Sequence, residues 1–274
     1  MVTTRLKFVT YFFCFGYLPN MLQSQNPHPR DERIRFVEES HKYYVDGSVD
    51  GFEYISTTSL MHSMFKPFDA DEVIDKMRKS RNWANSPYHG QSPEEIKAGW
   101  DSNRDLAAKS GTAMHENIEN FYNGIDHKIT PEFEMFQKFR DDHEGLVPYR
   151  TEWCIFDEDS KVSGSVDMVY EVSESPGTFV IADWKRSKAI KTENKWQSGT
   201  SKHTSHLPDC NFIHYSLQLS TYKYILEKNY GLTISDTFIV VLHPAQDSYN
   251  KIVTRDLSAE VEGIMAESRT PDQL

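Results

Sequence analysis

The sequence predicts a mixed α/β domain, and three observations carry that expectation. Residues 162–170 and 179–185 are apolar runs joined by Ser173, Ser175, Pro176 and Gly177, which is a hairpin signal. Stretches with helical spacing and clear start signals precede them, one from Ser92-Pro93-Glu94-Glu95 and one from Pro131. A helix-like stretch over residues 215–230, closed by Gly231, leads into the apolar, β-branched run 237–242, which reads as a buried strand. Helices, strands, a helix and a strand in that order describe a mixed central β-sheet flanked by helices, with an N-terminal hairpin and helical region.

The 274-residue chain has room for a substantial core. We divide it into an N-terminal tail, residues 1–31, and one domain over residues 32–274 whose core spans about 109–243. Residues 8–22 are apolar and aromatic behind Arg5 and Lys7, as in a weak targeting segment, and Gly16, Pro19 and Asn20 break them before they could span a bilayer. No acid precedes Asp31, which suits an organelle such as the mitochondrion; a translation start at Met21 is the other reading. Residues 23–31, polar and proline-containing, read as a tail or linker.

The domain then opens with a hairpin over residues 34–45, closed by Asp46-Gly47, and a further strand at 52–55. Thr57 or Thr58 is placed to cap a helix that Pro67 ends, and Asp69 to cap another over 70–79. From Ser92 the apolar positions Ile96, Trp100, Leu106, Met114, Ile118 and Phe121 continue to Asn123-Gly124, with Gly111 marking a break or a close contact. Phe133, Phe136 and Phe139 line one side of the helix from Pro131, and residues 150–156 make a strand before the hairpin. Residues 258–268 form a last amphipathic helix with Ser258 as its cap.

A net charge of −11 argues against a protein coated in basic surface that holds nucleic acid by bulk electrostatics, though not against a local basic groove. Cys14, Cys154 and Cys210 contain no C-x-x-C pair and read as reduced thiols of an intracellular protein. The chemistry gathers elsewhere. Strict alternation sets Asp167 on the opposite face from Val166 and Met168, and puts Asp183 and Lys185 on one face. The hairpin lets Asp167 face Asp183 with Lys185 one step along, either as a structural salt bridge or as a divalent-metal site for hydrolysis. His115 and Glu119 share a helix face beside Met114, Ile118 and Tyr122, and Gln218 and Tyr222 repeat that spacing later. Glu152 reads as an exposed edge residue. Residues 186–209 carry Arg186, Lys188, Lys191, Lys195 and Lys202 against Glu193, the one acid before Asp209. That is a basic patch suited to phosphates, or a solvated loop.

Four blocks together resemble the PD-(D/E)XK nuclease superfamily, in its RecB-type and lambda-exonuclease-like branch, similar to viral and mitochondrial exonucleases. They are residues 111–119, Gly164-Ser165-Val166-Asp167, Asp183-Trp184-Lys185, and Gln218-Leu219-Ser220-Thr221-Tyr222. The resemblance departs from the family's name in having Val166 where a proline would stand, and Asp rather than Glu at 183. It implies Mg²⁺ or Mn²⁺, one or two ions, held by Asp167 and Asp183, with His115 a further ligand and the Trp184 carbonyl completing the shell. It implies catalysis by Asp167, Asp183 and Lys185, with Glu119 and Glu152 where relatives place supporting acids, and substrate contacts from Gln218, Tyr222, Arg186 and Lys188. Lys185, beside a metal at a desolvated strand end, is expected to have a lowered pKa. The cysteines of an iron–sulfur cluster are missing, so no cluster is expected, nor is a membrane. The activity implied is that of a DNA exonuclease in repair, recombination or replication, in an organelle, nuclear or viral setting. An RNA endonuclease on the same core, or an inactive nucleic-acid-binding scaffold, are the alternatives.

Overall fold

A computed structural model of the protein describes residues 21–47 and 52–268. Its elements run α1 (Met21–Gln25), β1 (Ile34–Val37), β2 (Lys42–Val45), β3 (Phe52–Ser56), α2 (Thr57–Ser63), α3 (Ala70–Arg78), α4 (Pro93–Tyr122), α5 (Pro131–Asp141), β4 (Leu146–Asp157), β5 (Val162–Val172), β6 (Thr178–Lys185), α6 (Asn211–Tyr230), β7 (Thr233–Val241), β8 (Asn250–Val253) and α7 (Ser258–Glu267). The targeting segment and Cys14 lie outside the described residues, save Met21 and Leu22.

The strands form one mixed sheet in the order β1-β2-β3-β5-β6-β7-β8, with β4 paired along β5. β5 is its centre. β4 follows one edge of β5 antiparallel from Leu146↔Val172 to Asp157↔Val162. The other edge is shared: β3 pairs parallel at Val162 and Ser163, and β6 antiparallel from Met168 to Glu171. The sheet therefore forks on that side, and Gly164 to Asp167 lie in the fork. β6 and β7 run parallel, as a helical crossover between them requires, and that crossover ends in α6.

One face of the sheet packs on α6, α7 and α2. There Trp153, Val166, Ile181 and Ile239 meet Leu217, Ile225, Leu226 and Ile264. The other face packs on α4 and α5, where Met168, Ala182, Trp184 and Val240 meet Met114, Ile118, Phe133, Phe136 and Phe139. The three phenylalanines expected on one side of the helix from Pro131 are all buried there. Gly164 allows α6 its close approach, because a Cβ at that position would stand 2.6 Å from the Tyr222 ring.

Several local expectations shift. Ser56, not Thr57 or Thr58, caps α2, accepting from the Ser59 N–H, while the buried Thr57 hydroxyl donates to the Ser163 carbonyl. α4 runs unbroken for 30 residues, and Gly111 has open space around it, so it marks neither a break nor a contact. Ser258 starts α7 without capping it; its N–H and hydroxyl donate to Asp256 instead. β8 has no counterpart in the sequence reading, since Asn250-Lys251-Ile252-Val253 offers only two adjacent apolar residues.

The segment taken as a tail, residues 23–31, is bound to β4. Asp31 accepts from the Arg150 guanidinium at 2.9 Å and from the Trp153 indole at 2.8 Å. Asn26 donates to the Tyr149 carbonyl, and its own carbonyl accepts from Arg150. Arg150 is buried and its side chain is only 3% exposed, so Asp31 is its counter-charge in low dielectric. Asp31→Ala is expected to destabilise the protein by about 3 kcal/mol in urea denaturation. A loss under about 0.5 kcal/mol, the scale of ordinary surface substitutions, would return the segment to the status of a tail.

Candidate active site

The site gathers at the fork of the sheet. The register Met168↔Ala182 sets Asp167 opposite Asp183 one step further along. Both are buried, Asp183 to 1% exposure. Asp167 accepts from the Trp184 N–H at 2.8 Å, which pins its carboxylate to the end of β6. Asp183 and Lys185 share a face as the alternation requires, with the ammonium 2.5 Å from Asp183 Oδ2 and 4.8 Å from the centre of the Tyr215 ring. The second half of α4 supplies His115. Its Nε2 lies 2.9 Å from the Trp184 carbonyl, and its Nδ1 lies 3.4 Å from Glu152 Oε1 and 3.5 Å from Asp167 Oδ2.

Glu152 lies on β4, which among the described strands pairs with β5 alone, but its side chain is half-buried and belongs to this cluster, so the expected exposure does not hold. Its φ of +44° is in the left-handed region, which a long side chain occupies at a cost of about 1–3 kcal/mol. Opposite it, strict alternation fails in β5: Val166 joins the core under α6, whereas Met168 joins the core under α5. The expectation that Val166 and Met168 share a face is therefore wrong. The turned backbone at Glu152 accompanies that change of face, and the carboxylate it aims is held by the Ser165 hydroxyl at 3.2 Å. Nothing in the local sequence announces a left-handed glutamate. The only pointer was the position of Glu152 in the resemblance.

Burial and crowding dominate the electrostatics. Burial pushes the Asp183 carboxyl up to about 6, and Asp167 adds to the push against the pull of Lys185. Asp167 is raised as well, by burial and Glu152, with His115 drawing it down. Burial would depress His115, but the Asp167 and Glu152 carboxylates prevail and hold its imidazolium up to about 9. Lys185 reverses the expectation of a lowered pKa. Burial does lower it, but Asp183 and Asp167 outweigh burial and raise it above the ordinary lysine value. Glu119, one turn along α4 from His115, is pushed up to about 7 by burial, Glu152 and Glu116.

The remaining expected residues separate. Gln218 lines a cavity of about 330 Å³ with Lys185, Tyr215, His62, His214 and Asn211, and its side-chain amide donates to the Tyr222 hydroxyl. Tyr222 itself is core, its ring packed toward Gly164. The Arg186 guanidinium is engaged by Glu132 of α5 at 2.8 Å, whereas Lys188 is exposed and forms no ion pair among the described residues.

His115, Glu152 and Asp167 each offer one ligand atom, all within 4.8 Å of one another. The expected ligand set differs in having Asp183 in place of Glu152. Asp183 lies beyond the tight group, yet its buried Oδ1 has no hydrogen-bond donor among the described residues, an arrangement that costs free energy unless a cation answers it. Carboxylate oxygens with one imidazole suit Mg²⁺ and, more strongly, Mn²⁺. The residues present therefore fit a divalent cation.

Fold and site together define a mixed α/β protein with a half-buried histidine–carboxylate cluster able to hold a metal ion. No protein-family model matches the chain, and no curated protein matches it. Among solved structures, SSO0001 is 14% identical with a TM-score of 0.32, covering 80% of this chain and 76% of its own. A provisionally named exonuclease from Eubacterium rectale is 11% identical with a TM-score of 0.26, covering 56% of this chain and 70% of its own. No described helix is long and apolar enough to cross a membrane.

Mn²⁺ at a hundredfold excess over its Kd is expected to stabilise the protein by about 2.7 kcal/mol, read as a rise in melting temperature. Asp167→Asn and Glu152→Gln should each remove most of that rise. An unchanged rise in Glu152→Gln would take Glu152 out of the ligand set.

Proposed function

We propose that the protein is a divalent-metal-dependent nuclease built on the PD-(D/E)XK plan, hydrolysing phosphodiester bonds of DNA, as an exonuclease in DNA repair, recombination or replication. The observation that carries the reading is the pair Asp183 and Lys185 on one face of β6, with Asp167 opposite on β5 and His115 and Glu152 closing the cluster. The choice of DNA and of an exonuclease rests on the sequence resemblance.

A divalent ion there would supply a water nucleophile and neutralise charge on the pentacovalent phosphate. Asp167, His115 and Glu152 would hold it, with Asp183 and the Trp184 carbonyl next in reach. Lys185 is an ammonium in the resting protein, so its first role is to donate. It orients the attacking water and stabilises the negative charge that develops on the phosphoryl oxygens. Asp183 holds that ammonium in place. Glu119, with its carboxyl near neutral titration, stands one turn from His115 as a supporting acid. Gln218 and Lys188 would meet the substrate backbone from the α6 side and from the segment after β6.

The test is cleavage of end-labelled single- and double-stranded DNA, a closed circle and RNA, with and without Mn²⁺ or Mg²⁺. Loss of linear DNA with the circle spared is expected, and the fate of the label gives the polarity. Lys185→Ala should lower the rate by about 10²–10⁴-fold, and Asp183→Ala should abolish it with the fold intact. Metal-dependent cutting of the circle, or of RNA alone, would overturn the exonuclease assignment. Wild-type rates in Asp183→Ala would overturn the site.

A further inference from the structure

The segment between β6 and α6 presents one side chain in a way its packing does not require. Trp196 is 92% exposed, the most exposed of the large apolar side chains described. It makes no ring contact among the described residues. Yet its backbone is tied down. Asn194 Oδ1 accepts from the N–H groups of both Trp196 and Gln197, and Asn194 Nδ2 donates to the Asp209 carbonyl. The Asp209 N–H returns to the Gln197 carbonyl, Ser198 bridges Pro208, and the Gly199 N–H donates to the Leu207 carbonyl. The Thr200 N–H donates to the Met64 carbonyl, which fastens the segment to the end of α2. An indole on a tethered backbone, held wholly in water, has surface for a partner and little surface buried on its own chain.

The charge around it says which partner. In a chain of net charge −11, Lys188, Lys191 and Lys195 are exposed and form no ion pair among the described residues, and Glu193 is the one acid between Asp183 and Asp209. The Lys191 N–H donates to Asn211 Oδ1, and Asn211 lines the cavity that holds Lys185 and Gln218. The basic segment thus starts at the catalytic strand and stays joined to the wall of the cavity beside it.

We propose that this segment is the entry platform for single-stranded nucleic acid, with an unpaired base stacked on Trp196 and the flanking phosphates held by Lys188, Lys191 and Lys195. The proposal rests on the nucleic-acid reading above and adds the strandedness of the substrate and the residues that read it. A stacked duplex covers both faces of its internal bases, so an outward-facing indole engages an unpaired base and passes over a paired one. Base–aromatic stacking is sequence-tolerant because every base has a π-face, so the platform selects for single strands without selecting a sequence.

The test is binding of fluorescein-labelled oligo(dT), a single-stranded RNA of equal length and a matched duplex, by anisotropy, with chelator present so that nothing is cut. Trp196→Ala should weaken binding to single strands by about 10-fold and leave duplex binding unchanged, while Trp196→Phe, which keeps a stacking face, should stay within about threefold of wild type. Replacing Lys188, Lys191 and Lys195 together with Gln should flatten the salt slope on single strands by about 2. Quenching of tryptophan fluorescence by oligo(dT) should be seen in wild type and fall in Trp196→Phe. Equal losses on single strand and duplex, or no loss on either, would overturn the platform. The cleavage assay above separates the two failures: wild-type cutting with an indifferent Trp196→Ala removes the platform alone. A wild-type protein that binds no nucleic acid removes both readings. Trp196-dependent binding without cutting leaves the platform standing and the nuclease assignment fallen.

Discussion

Everything near the fork of the sheet answers to the burial of Asp167 and Asp183 side by side. Two carboxylates out of water repel each other, and each resists ionisation. The chain meets them with two cations of its own, Lys185 from the same strand as Asp183 and His115 from α4. Even so, Oδ1 of Asp183 has no donor among the described residues, and Glu152 brings a third carboxylate into the group. A cluster with more acid than base is destabilising as it stands, and chains that only needed a sheet would fill these positions with apolar side chains.

The architecture is arranged so that this cluster sits where backbone pairing stops. β5 is paired on one edge along its length by β4, with an irregularity between Pro148 and Arg150, and on the other only at its ends, by β3 and by β6. Gly164 at the unpaired stretch lets Tyr222 approach, and Asp167 is the last residue before β6 takes over. Cores on both faces, one under α6 and one under α5, hold the fork rigid from above and below. The polar groups are thereby fixed by packing that they do not themselves supply.

How much of this could be read from residues alone depended on how local the cause was. Asp183 and Lys185 share a face because they are two apart on a strand, and the turn at Ser173 to Gly177 makes β5 and β6 neighbours, so their meeting with Asp167 follows from spacing. The caps at Asp69 and Ser92 and the three phenylalanines of α5 are equally local. Glu152 was illegible because its aim depends on a positive φ and on a change of face in β5. The raised basicity of Lys185 was illegible because it depends on how close two carboxylates come in three dimensions. Residues 23–31 look like a tail because their partners, Tyr149, Arg150 and Trp153, lie more than a hundred positions away. Trp196 carries no local sign of its exposure.

That N-terminal segment has a consequence for where the molecule can be cut. Arg150 lies two residues before Glu152, and its buried charge is answered by Asp31. A chain trimmed just past Asp31 would keep every strand of the sheet and every residue of the acid cluster. It would also leave a guanidinium stranded in low dielectric beside the strained stretch of β4. The first described helix and the turn after it therefore bear on the stability of the strand that carries Glu152, through a charge pair and without supplying a residue to the acid cluster.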